Sequence, residues 1–327
     1  MRKPKFLSPS SLGKFEESRD EFYLMYLADN RPPKIPQNNA MSVGSAFDSY
    51  CKAELYHRTH GDDNPKYTFD YLFTRSVEPQ NRDFAFGAGR YIFDSYIKSG
   101  AFGTLDGLIA ESAQAPQFEF EIEGVVEGVP LLGKPDCRFF HKSGAHIVFD
   151  WKVNGFCSKY ATSPCKFYSL VTDGWGPEQA KPSRGCSKPH PEYRELEHLG
   201  VKIGEAFLEA SNMEWADQLT TYGWMLGEPV GDENVIMAVH QIVAKPVEGG
   251  SPLLRVAQFA SRVSNQWQRT LVSRYQAAWR AVETGHVFND LSKEDNDGKC
   301  ELLDQQTITL KDDSAFGRYV NEIVRGN

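Results

Sequence analysis

The stretch IVFDWKVNG, Ile147 to Gly155, decides how the chain is read. In an extended strand alternate side chains share a face, so Ile147, Phe149 and Trp151 point one way while Asp150 and Lys152 point the other. An apolar run that could fill a core thus carries a carboxylate and an ammonium side by side. The spacing predicts a strand over 146–153. The Asp–Lys pair is either an ion pair at a strand edge or part of a site.

What precedes it narrows the choice. In QFEFEIEGVVEGVPLLGKPDCRFF, residues 117–140, Phe118, Phe120 and Ile122 alternate with Glu119, Glu121 and Glu123 before a Gly-containing turn, a hairpin pattern. Asp136 lies fourteen residues before Asp150, enough chain for one strand to turn back alongside the next. That geometry would bring Asp136, Asp150 and Lys152 together. Two carboxylates so placed repel each other unless a cation sits between them. Oxygen donors with water positions left open suit Mg²⁺ or Mn²⁺.

GKPD (Gly133–Asp136) followed by DWK (Asp150–Lys152) resembles the signature of the PD-(D/E)XK nuclease superfamily. Within EWADQLTTYGWMLG, Gln218 and Tyr222 stand at i and i+4 on one helical stripe, and this QxxxY is similar to that of the RecB-like and lambda-type exonuclease branch. Ser10, Leu12, Phe15 and Phe22 match the helix with which RecB-like nucleases often begin. Gly44 of GSAFD matches a GxxxH motif, but Asp48 stands where the metal-binding His is expected. An Asp there can ligate Mg²⁺ or simply face solvent. Ser18 stands where iron–sulfur members carry a Cys, and Cys300 is alone in the tail, so no iron–sulfur cluster is expected.

The resemblance implies an α/β fold with a restriction-endonuclease-like core, a central mixed β-sheet flanked by helices. It implies phosphodiester hydrolysis with Mg²⁺ or Mn²⁺ held by Asp136, Asp150 and the backbone carbonyl of Trp151. Lys152 would position or help deprotonate the attacking water, and Gln218 and Tyr222 would support the site and the DNA backbone. The family often has a further acidic ligand on the hairpin; Glu121 is the choice here, with a solvated strand face as the other reading. An exonuclease of the phage-recombination kind, acting on DNA ends, is the first expectation. Such an enzyme implies a single-strand annealing or binding protein as a partner, and a homo-oligomer is open. A defence or restriction endonuclease and a non-catalytic scaffold binding DNA or a partner are the alternatives.

The 327 residues are expected to form a single nuclease domain: a helical part over 1–110, the catalytic hairpin and strand over 115–155, a basic loop or insert over 156–204, and the QxxxY helix with C-terminal strands and helix over 205–327. Helices are predicted over 8–27, 41–56, much of 79–100, 205–226 and 261–284, and strands in NVIMAVHQIVAKP and LLRVAQFA. With 40% hydrophobic and 24% charged residues the composition is that of a globular protein, and no apolar run suits a membrane. Lacking a signal-peptide pattern, the chain is expected to be cytoplasmic, with free thiols rather than bridges. A net charge of −8 argues against a protein that coats DNA nonspecifically, yet allows an acidic metal site beside a locally basic groove. No Walker loop is present, so ATP-driven unwinding is not built in.

For DNA contact, the insert offers Lys159, Lys166, Lys181, Arg184 and Lys188, and its aromatics Tyr160, Phe167, Tyr168 and Trp175 could stack on bases or pack in a core. Arg262, Arg269 and Arg280 are predicted to form one helical stripe, either a phosphate track or a wet face.

Overall fold

The computed structural model describes the chain apart from residues 30, 32–35, 62, 119–120, 158–166, 175–189, 249–252 and 313–327, and apart from the side chains of 172–174 and 306–312. The N-terminal third is helical: α1 (Pro9–Glu17), α2 (Arg19–Phe22), α3 (Asn39–His60), α4 (Phe69–Ser76), α5 (Arg82–Lys98) and α6 (Ala101–Ala110). Ser8 and Ser11 cap α1 reciprocally, each hydroxyl accepting from the other's backbone N–H at 3.2 and 2.7 Å. The single helix predicted over 8–27 breaks at Ser18. This residue is extended (φ −154°, ψ 110°), and its side chain caps α2, satisfying an orphan donor of the new helix.

The strands follow: β1 (Gln117–Phe118), β2 (Ile122–Val126), β3 (Val129–Gly133), β4 (Cys137–Phe140), β5 (His146–Asn154), β6 (Leu170–Gly174), β7 (Glu195–His198) and β8 (Val201–Gly204). After the short α7 (Leu208–Ser211) come α8 (Met213–Met225), β9 (Ile236–Lys245), β10 (Leu253–Ser261), α9 (Asn265–Thr284) and α10 (Lys293–Asp312). Among the described residues the central sheet has six strands in the order β1-β4-β5-β9-β10-β6. The β5–β9 pair is parallel and the other pairs are antiparallel. The fold is thus mixed α/β, a central mixed sheet flanked by helices, as expected.

Burial follows the alternation. Ile147, Phe149 and Trp151 of β5 join the core beneath α3, α5 and α6. Val148 faces the other way, packing with Ala216, Leu219 and Tyr222 of α8. Strand β9, buried from Ile236 to Ala244, has helices on both faces, which is why it reads as an unbroken apolar run. A second apolar layer joins α1 and α2 to α9 and α10 through Leu12, Phe15, Phe22, Leu271, Tyr275 and Leu303.

Two expectations need correction. The predicted hairpin exists as β2–β3, turning through Glu127 and Gly128 at φ 48° and 84°, the left-handed pair that a tight hairpin requires. It forms its own two-stranded sheet, however, and β4 is the strand that turns back along β5. The segment 156–204 is likewise more than an insert: β6 pairs with β10 as an edge strand of the main sheet, and β7–β8 form a hairpin. Among the described residues no helix is long and apolar enough to cross a membrane.

Candidate active site

The site grows out of the β4–β5 register. Cys137 pairs with Phe149 and Arg138 with Val148, so the same antiparallel count continued by one residue sets Asp136 across from Asp150. β4 itself starts at Cys137, and in place of the next ladder bond the Trp151 N–H donates to Asp136 Oδ2 at 3.2 Å. N–H and C=O of one strand residue project to the same side, so the Trp151 carbonyl also faces the Asp136 side of β5. The sequence thereby places Asp136, Asp150 and the Trp151 backbone together, as the spacing predicted.

Asp150 and Lys152 emerge on the α8 face. Asp150 is buried, at 3% exposure, and its carboxylate is ion-paired with the Lys152 ammonium. Lys152 Nζ also donates to Gln218 Oε1 at 3.0 Å, and Gln218 Nε2 donates to the Tyr222 hydroxyl oxygen at 3.0 Å. A lysine only donates, so the glutamine must turn its carbonyl toward Lys152 and its amide toward Tyr222. The i,i+4 spacing on α8 is what sets the two side chains in line. All five predicted catalytic side chains therefore form one connected cluster.

Gly133, the first residue of GKPD, makes that closure possible. A Cβ added there would lie 2.6 Å from Tyr222 Cδ1 and 2.3 Å from Met225 Cε. The hairpin can lie against the Tyr222 ring because residue 133 has no side chain, a requirement that the sequence motif contains but its reading did not use.

On the opposite face of β5 the structure adds a residue that the sequence reading missed. Lys52 of α3, 2% exposed, reaches Asp48 Oδ2 at 2.6 Å and Asp136 Oδ1 at 3.0 Å. Its signal was present in the i,i+4 spacing from Asp48, within a helix segment whose neighbours Phe47, Cys51 and Leu55 are fully buried. Asp48 is thus brought to the cluster through an ammonium. Glu121 is exposed, just ahead of β2, and Glu119 lies outside the described residues.

The electrostatics separate the two central carboxyls. Burial, followed by the neighbouring Asp136 charge, pushes Asp150 well above the usual carboxylate range, and Lys152 only partly offsets this. Burial acts on Asp136 in the same direction, but Lys52, the hydrogen bond from Asp150 and the Lys152 charge outweigh it and hold Asp136 below that range. Burial works against the Lys152 ammonium, whereas Asp150 and Asp136 raise its pKa, so it remains charged. Burial lifts the Tyr222 hydroxyl to about 12, so it stays protonated. Two carboxyls with pKa values driven apart at one strand edge mark a site at which bound charge matters.

Among the described residues no group of three or more His, Cys, Asp or Glu side chains is arranged to hold a metal ion. The donor set that remains is Asp136, Asp150 and the Trp151 carbonyl. These hard oxygens suit Mg²⁺, which is commonly held by one or two carboxylates and keeps several waters. The Lys52 ammonium already sits against Asp136, at 3.0 Å.

Of the predicted DNA-contact residues, Lys159, Tyr160, Lys166, Trp175, Lys181, Arg184 and Lys188 lie outside the described residues. Phe167 is exposed, and its ring lies 4.1 Å from that of His190, while Tyr168 packs against the α8-side core. The arginine stripe is broken: α9 starts at Asn265, so Arg262 precedes the helix and sits over the Phe207 ring at 5.2 Å. Arg269 and Arg280 are exposed on α9, eleven residues apart and hence on one face. No known family model matches the chain, and no curated protein matches it.

Proposed function

We propose that this protein is a divalent-metal-dependent deoxyribonuclease with a PD-(D/E)XK core, acting as an exonuclease on DNA ends. The observation that carries the proposal is the convergence of Asp136, Asp150 and Lys152 at the β4–β5 edge, with Gln218 and Tyr222 closing on Lys152 from α8. A scaffold without catalysis has no need for two carboxylates in contact at a buried edge, since each raises the cost of ionising the other.

In this reading Asp136, Asp150 and the Trp151 carbonyl would hold the cation, and Lys152 stands beside Asp150 as a positive donor. When bound, Mg²⁺ or Mn²⁺ would polarise the phosphodiester and favour ionisation of an attacking water. Lys152 orients that water and offsets the negative charge that builds on the phosphate oxygens. Ion-paired with Asp150 and donating to Gln218, it serves as a positioning ammonium. Gln218 fixes the direction of the ammonium, and Tyr222 fixes Gln218. Tyr222 accepts through its oxygen and so keeps its own proton to donate to a DNA phosphate.

The test is digestion of end-labelled linear duplex DNA beside the same DNA as a closed circle, with Mg²⁺ or Mn²⁺, for wild type and Lys152→Ala. Loss of linear DNA alone, abolished by the substitution, is the expected result. Cleavage of the circle would move the reading to an endonuclease, and intact substrates throughout would sink the catalytic claim.

A further inference from the structure

We propose that Lys52 is a built-in counter-ion that occupies the second cation position of the site, so that the protein works with one divalent ion. The inference rests on the metal-dependent reading above and specifies the ion count. Lys52 is 2% exposed and extends from α3 to the strand edge. Its Nζ lies 2.6 Å from Asp48 Oδ2 and 3.0 Å from Asp136 Oδ1. A second cation bridging Asp48 and Asp136 would have to lie between those oxygens, where the ammonium already sits.

The other oxygen of Asp136 accepts from the Trp151 N–H at 3.2 Å. Asp136 therefore has one oxygen held by the fixed ammonium and the other by the Trp151 backbone.

The Asp48–Lys52 pair thus puts a fixed charge, supplied by the chain, where a second ion would have to bridge Asp48 and Asp136.

The experiment counts Mn²⁺ by isothermal titration calorimetry and by electron paramagnetic resonance of the free ion, on the full chain without DNA. Wild type is expected to take one Mn²⁺, and Asp150→Asn to lose it. Lys52→Met, which leaves Asp48 and Asp136 facing each other, is expected to take two. Should Lys52→Met fail to fold, the double variant Asp48→Asn/Lys52→Met removes the opposed charge as well and is expected to bind one ion. Two ions in wild type, or one ion in a folded Lys52→Met, would overturn this inference and leave the nuclease reading standing. Zero ions in wild type would remove the metal site itself, and this inference with it.

Discussion

Two lysines meet the Asp136–Asp150 pair, Lys52 at Asp136 and Lys152 at Asp150, and they are not equivalent. Lys52 comes from a helix, is almost fully enclosed, and spends its charge on Asp48 and Asp136. Lys152 comes from the strand itself, keeps 28% side-chain exposure, and is steered by Asp150 and Gln218. An ammonium sealed between carboxylates serves the fold and the charge balance, while one that still touches solvent can meet a substrate. On the proposed function, the face beneath α3 and α5 stabilises the site, and the face beneath α8 works on what enters it.

The sharpest way to break that division is to exchange the phenotypes of the two lysines. Lys152→Ala is expected to lower nuclease turnover by about 10³-fold or more, roughly 4 kcal/mol of transition-state stabilisation, while the thermal midpoint moves little. Chevron or calorimetric unfolding alongside single-turnover cleavage would read both quantities. A variant that unfolds but retains turnover in its folded fraction would reverse the assignment.

Lys52→Ala should do the opposite in kind. Removing one member of a buried ion cluster leaves uncompensated charge, at a cost of about 3 kcal/mol or more, so urea unfolding should show a clearly lower midpoint. Lys52→Ala/Asp48→Asn should recover much of that loss, because the stranded charge goes with its partner. Failure of the double variant to recover would mean that Lys52 contributes by packing alone.

The α3–α5 face contains a second buried polar group, and its behaviour sharpens the comparison. His240 of β9 packs against Phe149 and Tyr96, and its Nδ1 meets the Tyr96 hydroxyl at 2.6 Å; burial lowers its pKa to about 3. The folded value lies below the ordinary 6.5, so the unfolded chain takes up a proton first as pH falls. Stability is accordingly full above about pH 6.5, declines below it, and stops declining near pH 3. With a folded pKa of about 3 against 6.5 unfolded, the loss by pH 5 is about 2 kcal/mol. Urea midpoints between pH 7.5 and 5 would measure the slope, and His240→Gln should flatten it. An unchanged slope in that variant would place the acid sensitivity elsewhere.

What was legible in the sequence differs between the same two faces. Asp136, Asp150, Lys152, Gln218 and Tyr222 could be assembled in advance because a strand period of two residues, an antiparallel return and a helical i,i+4 stripe are local patterns with fixed geometry. Lys52 could not be placed that way: its meeting with Asp136 spans 84 residues and depends on how α3 lies across the sheet edge. The recruitment of β6 was hidden for a similar reason. An edge strand needs only one partner and can come from a stretch rich in turn-forming residues, whereas β9, covered on both sides, announces itself by its apolar run. The break at Ser18 was lost because Phe15, Phe22 and Leu27 keep helical spacing across it, and the interruption lies in a backbone cap rather than in the apolar pattern.

The mildest test addresses the end of the α8 chain of contacts. Tyr222→Phe keeps the ring that packs on Gly133 and removes only the hydroxyl. Gln218 then loses one acceptor but retains the Lys152 contact, so stability should change by less than about 1 kcal/mol. If the Tyr222 proton is donated to a DNA phosphate, the loss should appear as weaker substrate binding, a several-fold rise in KM that grows with salt, with turnover at saturation nearly intact. Equal falls in turnover and in turnover over KM would instead mean that the hydroxyl acts only in the transition state, by holding Gln218 and through it the direction of Lys152. Either result leaves the division of the two faces in place. A loss of several kcal/mol of stability would break it, because a side chain on the working face would then be supporting the fold.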